Sequence, residues 1–121
     1  MAVQRIQLTN AADCVITVME GDKLDDSNGR ITIKDSDGVD IDMTQYTNVE
    51  FNVYRDQETK SLMYQFKQPV GSQGGITLGV GYFDLLANPF PLEAGSYRFG
   101  LRETDSPQTL AYGSFVVTDR F

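Results

Sequence analysis

Alternation with a period of two dominates this chain and limits what it can fold into. Ile6 and Leu8 alternate with polar residues, as do Ile31 and Ile33. The same holds for Val49, Phe51 and Val53, for Leu62, Tyr64 and Phe66, and for Ile76, Leu78 and Val80. Tyr97, Phe99 and Leu101 continue the series, and Ala111, Gly113, Phe115 and Val117 end it. Successive side chains of a strand point to opposite faces, so each segment predicts a strand with one face buried. The apolar run Cys14 to Val18 adds an eighth candidate. Turn signals separate the segments: Asn28-Gly29, Asp35 to Gly38, Asp56 to Thr59, Gly71 to Gly75, and Asp105-Ser106-Pro107. Gly permits positive φ, Asn and Asp tolerate it, and Pro fixes φ. Seven or eight short strands with such punctuation predict an all-β, antiparallel sandwich or barrel. No segment has a helical period; Phe83 to Asn88 predicts at most one helical turn before Pro89 and Pro91.

With 121 residues, 40% of them apolar, residues 1–121 are expected to form one packed domain. Lys and Arg total 10 against 17 Asp and Glu, a net charge of −7. That balance argues against nucleic-acid and anionic-membrane partners, which need clustered cations. The chain has no His, which removes the usual general base and most transition-metal chemistry. Its single Cys excludes an internal disulfide, and Cys14 is expected to be a buried small hydrophobe. The first ten residues lack a signal-peptide pattern, so synthesis in a reducing cytoplasm is expected. No apolar run is long enough to span a bilayer. A binding or structural module is therefore favoured over an enzyme, with no cofactor expected.

The densest acidic group is Asp35, Asp37, Asp40 and Asp42. Such carboxylates invite a calcium reading, but the spacing fails as an EF-hand. A hairpin turn at Asp35 to Gly38 is simpler, with Asp40 and Asp42 on the wet face of a short strand that buries Val39, Ile41 and Met43. These four residues stay weak metal candidates. Asp22, Asp25 and Asp26 fit a solvated loop, and Gly71 to Gly75 lacks the ending of a phosphate loop. Arg98 and Arg102 share a strand face and could receive an acidic surface. The connection from Gly79 to Leu92 is unusually apolar. Part of it would cap one end of the fold, and an exposed remainder would be a contact patch. Phe83, Leu85, Leu86 and Phe90 are the partner-contact candidates.

Leu92-Glu93-Ala94-Gly95-Ser96-Tyr97 sharpens the fold. A Tyr that opens a late strand just after a tight corner resembles the tyrosine corner of immunoglobulin-like sandwiches. Two longer patterns extend the resemblance. Asp37 to Thr44 followed by Val49 to Arg55 resembles the first half of small Ig-like domains in tailed-phage virion proteins. Leu92-x-x-Gly95-x-Tyr97-x-x-x-Leu101 followed by Leu110-x-x-Gly113-x-Phe115-x-Val117 is similar to their second half. The N-terminal domain of phage baseplate upper proteins is the nearest comparison, over roughly residues 14 to 118. The resemblance implies an Ig-like antiparallel β-sandwich of 7–8 short strands. It implies a non-enzymatic virion structural protein, made in the host cytoplasm and docked on a tail, baseplate or neck scaffold. Phage structural proteins would be its partners, and self-association is compatible with that role. Capsid decoration, or a calcium- or carbohydrate-binding module at the host surface, is the alternative.

Overall fold

A computed structural model describes residues 6–9, 13–21, 23–24, 29–35, 37–56, 61–68, 73–87, 90–104 and 108–119. These form nine strands: β1 (Ile6–Thr9), β2 (Asp13–Met19), β3 (Arg30–Lys34), β4 (Val49–Tyr54), β5 (Leu62–Lys67), β6 (Gly74–Gly79), β7 (Tyr82–Leu86), β8 (Gly95–Glu103) and β9 (Gln108–Thr118). A short 3-10 turn spans Met43–Gln45. No α-helix occurs among the described residues, and no helix there is long and apolar enough to cross a membrane.

The strands hydrogen-bond in the order β1-β3-β7-β6-β5-β4-β8-β9-β2. Most neighbours are antiparallel, but β1 with β3, β5 with β6, and β2 with β9 are parallel. The sheet is therefore mixed, which corrects the wholly antiparallel expectation. Alternation reports which face of a strand is buried; it carries nothing about the direction of the neighbour. None of the three parallel pairs is a two-stranded hairpin, and the turn signal at Gly71 to Gly75 between β5 and β6 does not report the direction of the strand that follows it.

The sheet curls on itself. In a flat sheet, β4 and β7 would lie three places and so about 14 Å apart. Instead the Phe51 ring of β4 lies 6.1 Å from the Phe83 ring of β7. Between them the β5–β6 join is short, and only Phe66 with Gly74 and Lys67 with Gly75 pair. Gly74 is required there. A Cβ at that position would overlap the Phe66 ring and sit 2.9 Å from the Leu86 carbonyl oxygen.

The alternating residues fill the interior between the curled halves. Ile31, Ile33, Val49, Phe51, Val53, Phe66, Phe99, Leu101, Ala111, Phe115 and Val117 are buried. Val80 is not: β6 ends at Gly79, and the chain turns through Gly81 at φ +83°. That turn starts β7, where a loop or single helical turn was expected. Tyr82–Leu86 pairs antiparallel with β6, so Phe83 and Leu85 are strand residues facing the core. The glycines on one side and the prolines on the other disguised a five-residue strand as a connection.

Asp84, between them, points to the opposite face and is also buried. Arg30 of β3 reaches it with Nε to Oδ1 at 2.8 Å and Nη2 to Oδ2 at 3.0 Å. The Arg30 guanidinium carbon also lies 4.0 Å from the centroid of the Tyr82 ring. A fork of two charge-assisted bonds compensates the desolvated carboxylate. Arg30→Ala leaves that carboxylate buried without its cation and is expected to cost about 3 kcal/mol in urea unfolding. A loss below about 1 kcal/mol would contradict this role for the pair.

Burial raises the Tyr64 phenol above the ordinary tyrosine value of 10.0. The folded state thus holds the phenolic proton more tightly than the unfolded chain does. The associated stability is fully present below the ordinary value and is lost as pH rises past it. Unfolding free energy measured against pH is expected to fall above about pH 10, and Tyr64→Phe should remove part of that fall.

Candidate interaction surface

The four acidic candidates do not converge. The Asp35 carboxylate accepts the backbone N–H of Asp37 at 2.9 Å and of Val39 at 3.0 Å, closing the turn in which Gly38 adopts φ +81°. Asp40 pairs with Lys34 Nζ at 2.6 Å across the hairpin that follows β3. Asp42 caps the 3-10 turn, accepting the Thr44 N–H at 2.9 Å and also the Thr44 hydroxyl. Asp37 is exposed, and the side chains of three of the four are already committed to local structure. Among the described residues, no three His, Cys, Asp or Glu side chains gather to hold a metal ion. Met43 is buried as expected, but Val39 turns outward.

The contact candidates are also placed differently. Phe83 and Phe90 are 0% and 1% exposed, and Leu85 is 1% exposed. Phe90 stacks on Phe66 at 5.9 Å and meets Tyr64 edge-on at 5.2 Å. These three are core residues with no surface to offer a partner, which corrects the expectation; Leu86 alone is half-buried. The Cys14 side chain and the acidic cluster at Asp22, Asp25 and Asp26 lie outside the described residues.

The corner forms. The Tyr97 hydroxyl donates to the Glu93 carbonyl at 2.8 Å, pinning the approach to β8. Ala94 N–H donates to Glu20 Oε2 at 3.0 Å, tying the same corner to the end of β2. Beside it opens a cleft of about 390 Å³, lined by Arg55, Met63, Leu92, Tyr97 and the intervening backbone. Among the described residues, Glu93 is the single carboxylate on its wall and Arg55 the single cation.

A broader surface is the outer face of β5, β4, β8, β9 and β2. Strand pairing sets Glu50 beside Lys67 and Arg102, and Asn52 between Gln65 and Gly100. Gln65 Nε2 donates to Asn52 Oδ1 at 2.7 Å, and Asn52 Nδ2 to Glu50 Oε1 at 3.2 Å. Arg102 Nε lies 3.8 Å from Glu50 Oε1, and Arg98 Nη1 donates to Ser114 Oγ at 3.0 Å. The two arginines are thus engaged within the face. Such a cross-linked ladder fixes its side chains before any partner arrives.

The apolar rim of this face is Val15, Met19 and Tyr112. Sequence reasoning passed over it, although a signal was present. In Cys14 to Met19 apolar residues fall on both faces of the strand, with Thr17 the one polar residue, while only one face can meet the core.

No protein-family model matches the chain, and no curated protein matches it.

Tyr97→Phe removes one hydrogen bond and leaves the exposed Glu93 carbonyl free to bind water. It is expected to cost about 1 kcal/mol in urea unfolding, and a loss below about 0.3 kcal/mol would show that the corner does not hold the fold.

Proposed function

We propose that the chain is a non-enzymatic, Ig-like structural module of a tailed-phage virion, docked on a tail, baseplate or neck scaffold. The observation that carries this reading is the hydrogen bond from Tyr97 to Glu93 at the head of β8. It lies inside the Leu92-x-x-Gly95-x-Tyr97 pattern that resembles the phage domains, and it is the bond a tyrosine corner makes. The strand order supports the same fold. Divided at the two-residue β5–β6 join, it falls into β1-β3-β7-β6 and β5-β4-β8-β9-β2. The aromatic contact between Phe51 and Phe83 joins these two groups of strands.

Docking uses a surface rather than a cleft. The ladder around Asn52 is rigid, and Tyr112 stands exposed beside it as an aromatic anchor. A net charge of −7 keeps many copies soluble before assembly and complements a basic scaffold. The calcium alternative is not favoured, because Asp35, Asp40 and Asp42 already serve the local chain.

Gold-labelled antibody raised against the purified protein tests this on virus particles from the source. Label at the tail tip, baseplate or neck is expected. Label spread over the shell would replace docking on the tail by capsid decoration. Intact particles without label would overturn the virion reading.

A further inference from the structure

Among the described residues, β2 is the last strand of the sheet and pairs on one side only, with β9. Its register with β9 runs unbroken from Asp13 to Met19. Edge strands are commonly protected by a charge, a proline or a bulge. From Val15 to Met19 this strand has none of these.

The direction of its backbone groups can be worked out. Glu20 N–H donates to Thr118 O at 2.9 Å, and the Val18 carbonyl accepts the Thr118 hydroxyl at 3.3 Å. The even-numbered residues therefore turn towards β9. In a parallel pair, alternate residues direct N–H and C=O to opposite sides. Val15, Thr17 and Met19 thus direct theirs to the open side. Their side chains lie on the outer face, where Val15 is 57% and Met19 41% exposed.

We propose that this edge pairs antiparallel with the β2 edge of a second copy, about a two-fold axis at Thr17. In that register Val15 lies opposite the second copy's Met19, and Thr17 opposite its counterpart. All the open N–H and C=O groups of Val15, Thr17 and Met19 then meet a partner, because residues two apart face the same side. Both exposed apolar side chains gain an apolar neighbour, and Ile16 and Val18 extend the core side.

Charge is compatible with this edge. Each copy carries −7, so two copies repel wherever their acidic surfaces meet. β2 offers a stretch free of charge, and the nearby Glu20 carboxylate is turned back onto Ala94 N–H. A single strand-to-strand contact is small for a specific interface, so a dissociation constant on the order of 10 µM is expected. The dimer does not depend on where the protein docks.

Sedimentation velocity over a concentration series, at low and high NaCl, tests this. The wild type is expected to show a monomer–dimer equilibrium that strengthens with salt, as repulsion between the copies is screened. Val15→Lys with Met19→Lys should weaken it by at least about tenfold while the exposed positions leave the fold intact. Val15→Lys with Met19→Glu should restore the dimer and reverse its salt dependence. In the proposed register, position 15 of one copy faces position 19 of the other. Within one copy these positions are about 13 Å apart and cannot pair. Amide exchange at Val15, Thr17 and Met19 in the wild type should slow as concentration rises, which needs no variant. A wild type that stays monomeric up to about 1 mM overturns the proposal. So does a lysine pair that dimerises like the wild type, or a lysine–glutamate pair no stronger than the lysine pair.

Discussion

The rings packed around Phe51 hold the curl on which the rest of the structure depends. Phe51 stacks on Phe99 of β8 at 4.9 Å and meets Phe66 of β5 and Phe115 of β9 at 5.8 Å each. Its contact with Phe83 at 6.1 Å joins β4 to β7, which the hydrogen-bonded order keeps three places apart. A second group, Tyr64, Phe66 and Phe90, extends the cluster towards the loop after β7. Aromatic pairs of this kind contribute about 0.5–1.5 kcal/mol each beyond the area they bury. With no disulfide available to one cysteine, packing does the work of holding the curled sheet together.

The two outer surfaces manage charge differently. On the β3–β7 side, Arg30 and Asp84 form one bidentate pair that is largely withdrawn from water. On the β4–β8 side, Glu50 is shared among Asn52, Gln65 and Arg102, a part-buried network with Arg102 at its exposed end. The first is a structural clamp whose rupture strands a buried carboxylate. The second makes a firm polar face that can meet another protein without reorganising. From Val15 to Met19 β2 carries no charge, and there the backbone itself becomes the available contact.

Much of the fold was legible because strand faces follow directly from a period of two. Val49, Phe51 and Val53 are buried, as are Phe99 and Leu101. The Tyr97 corner was legible too, because its spacing from Gly95 and Leu92 carries the geometry. Strand β7 was not. Phe83 and Leu85 looked like a surface patch because turn residues flanked them, and only pairing with β6 turns them inward. Parallel neighbours were equally hidden, since β2 and β9 meet through tertiary placement with no connecting turn. The acidic run is used locally. Asp35 and Asp42 bind backbone N–H groups within four residues of themselves, a use of carboxylates that composition does not distinguish from ligation.

The most direct test of this account is a nuclear Overhauser spectrum with the Phe51 and Phe83 rings selectively labelled. A ring-to-ring cross-peak between them, alongside one from Phe51 to Phe99, is the result the curled sheet predicts. A spectrum with the Phe51–Phe99 peak but none to Phe83 would mean that β4 and β7 do not face each other. The closed aromatic core would then be wrong, and with it the assignment of the outer faces.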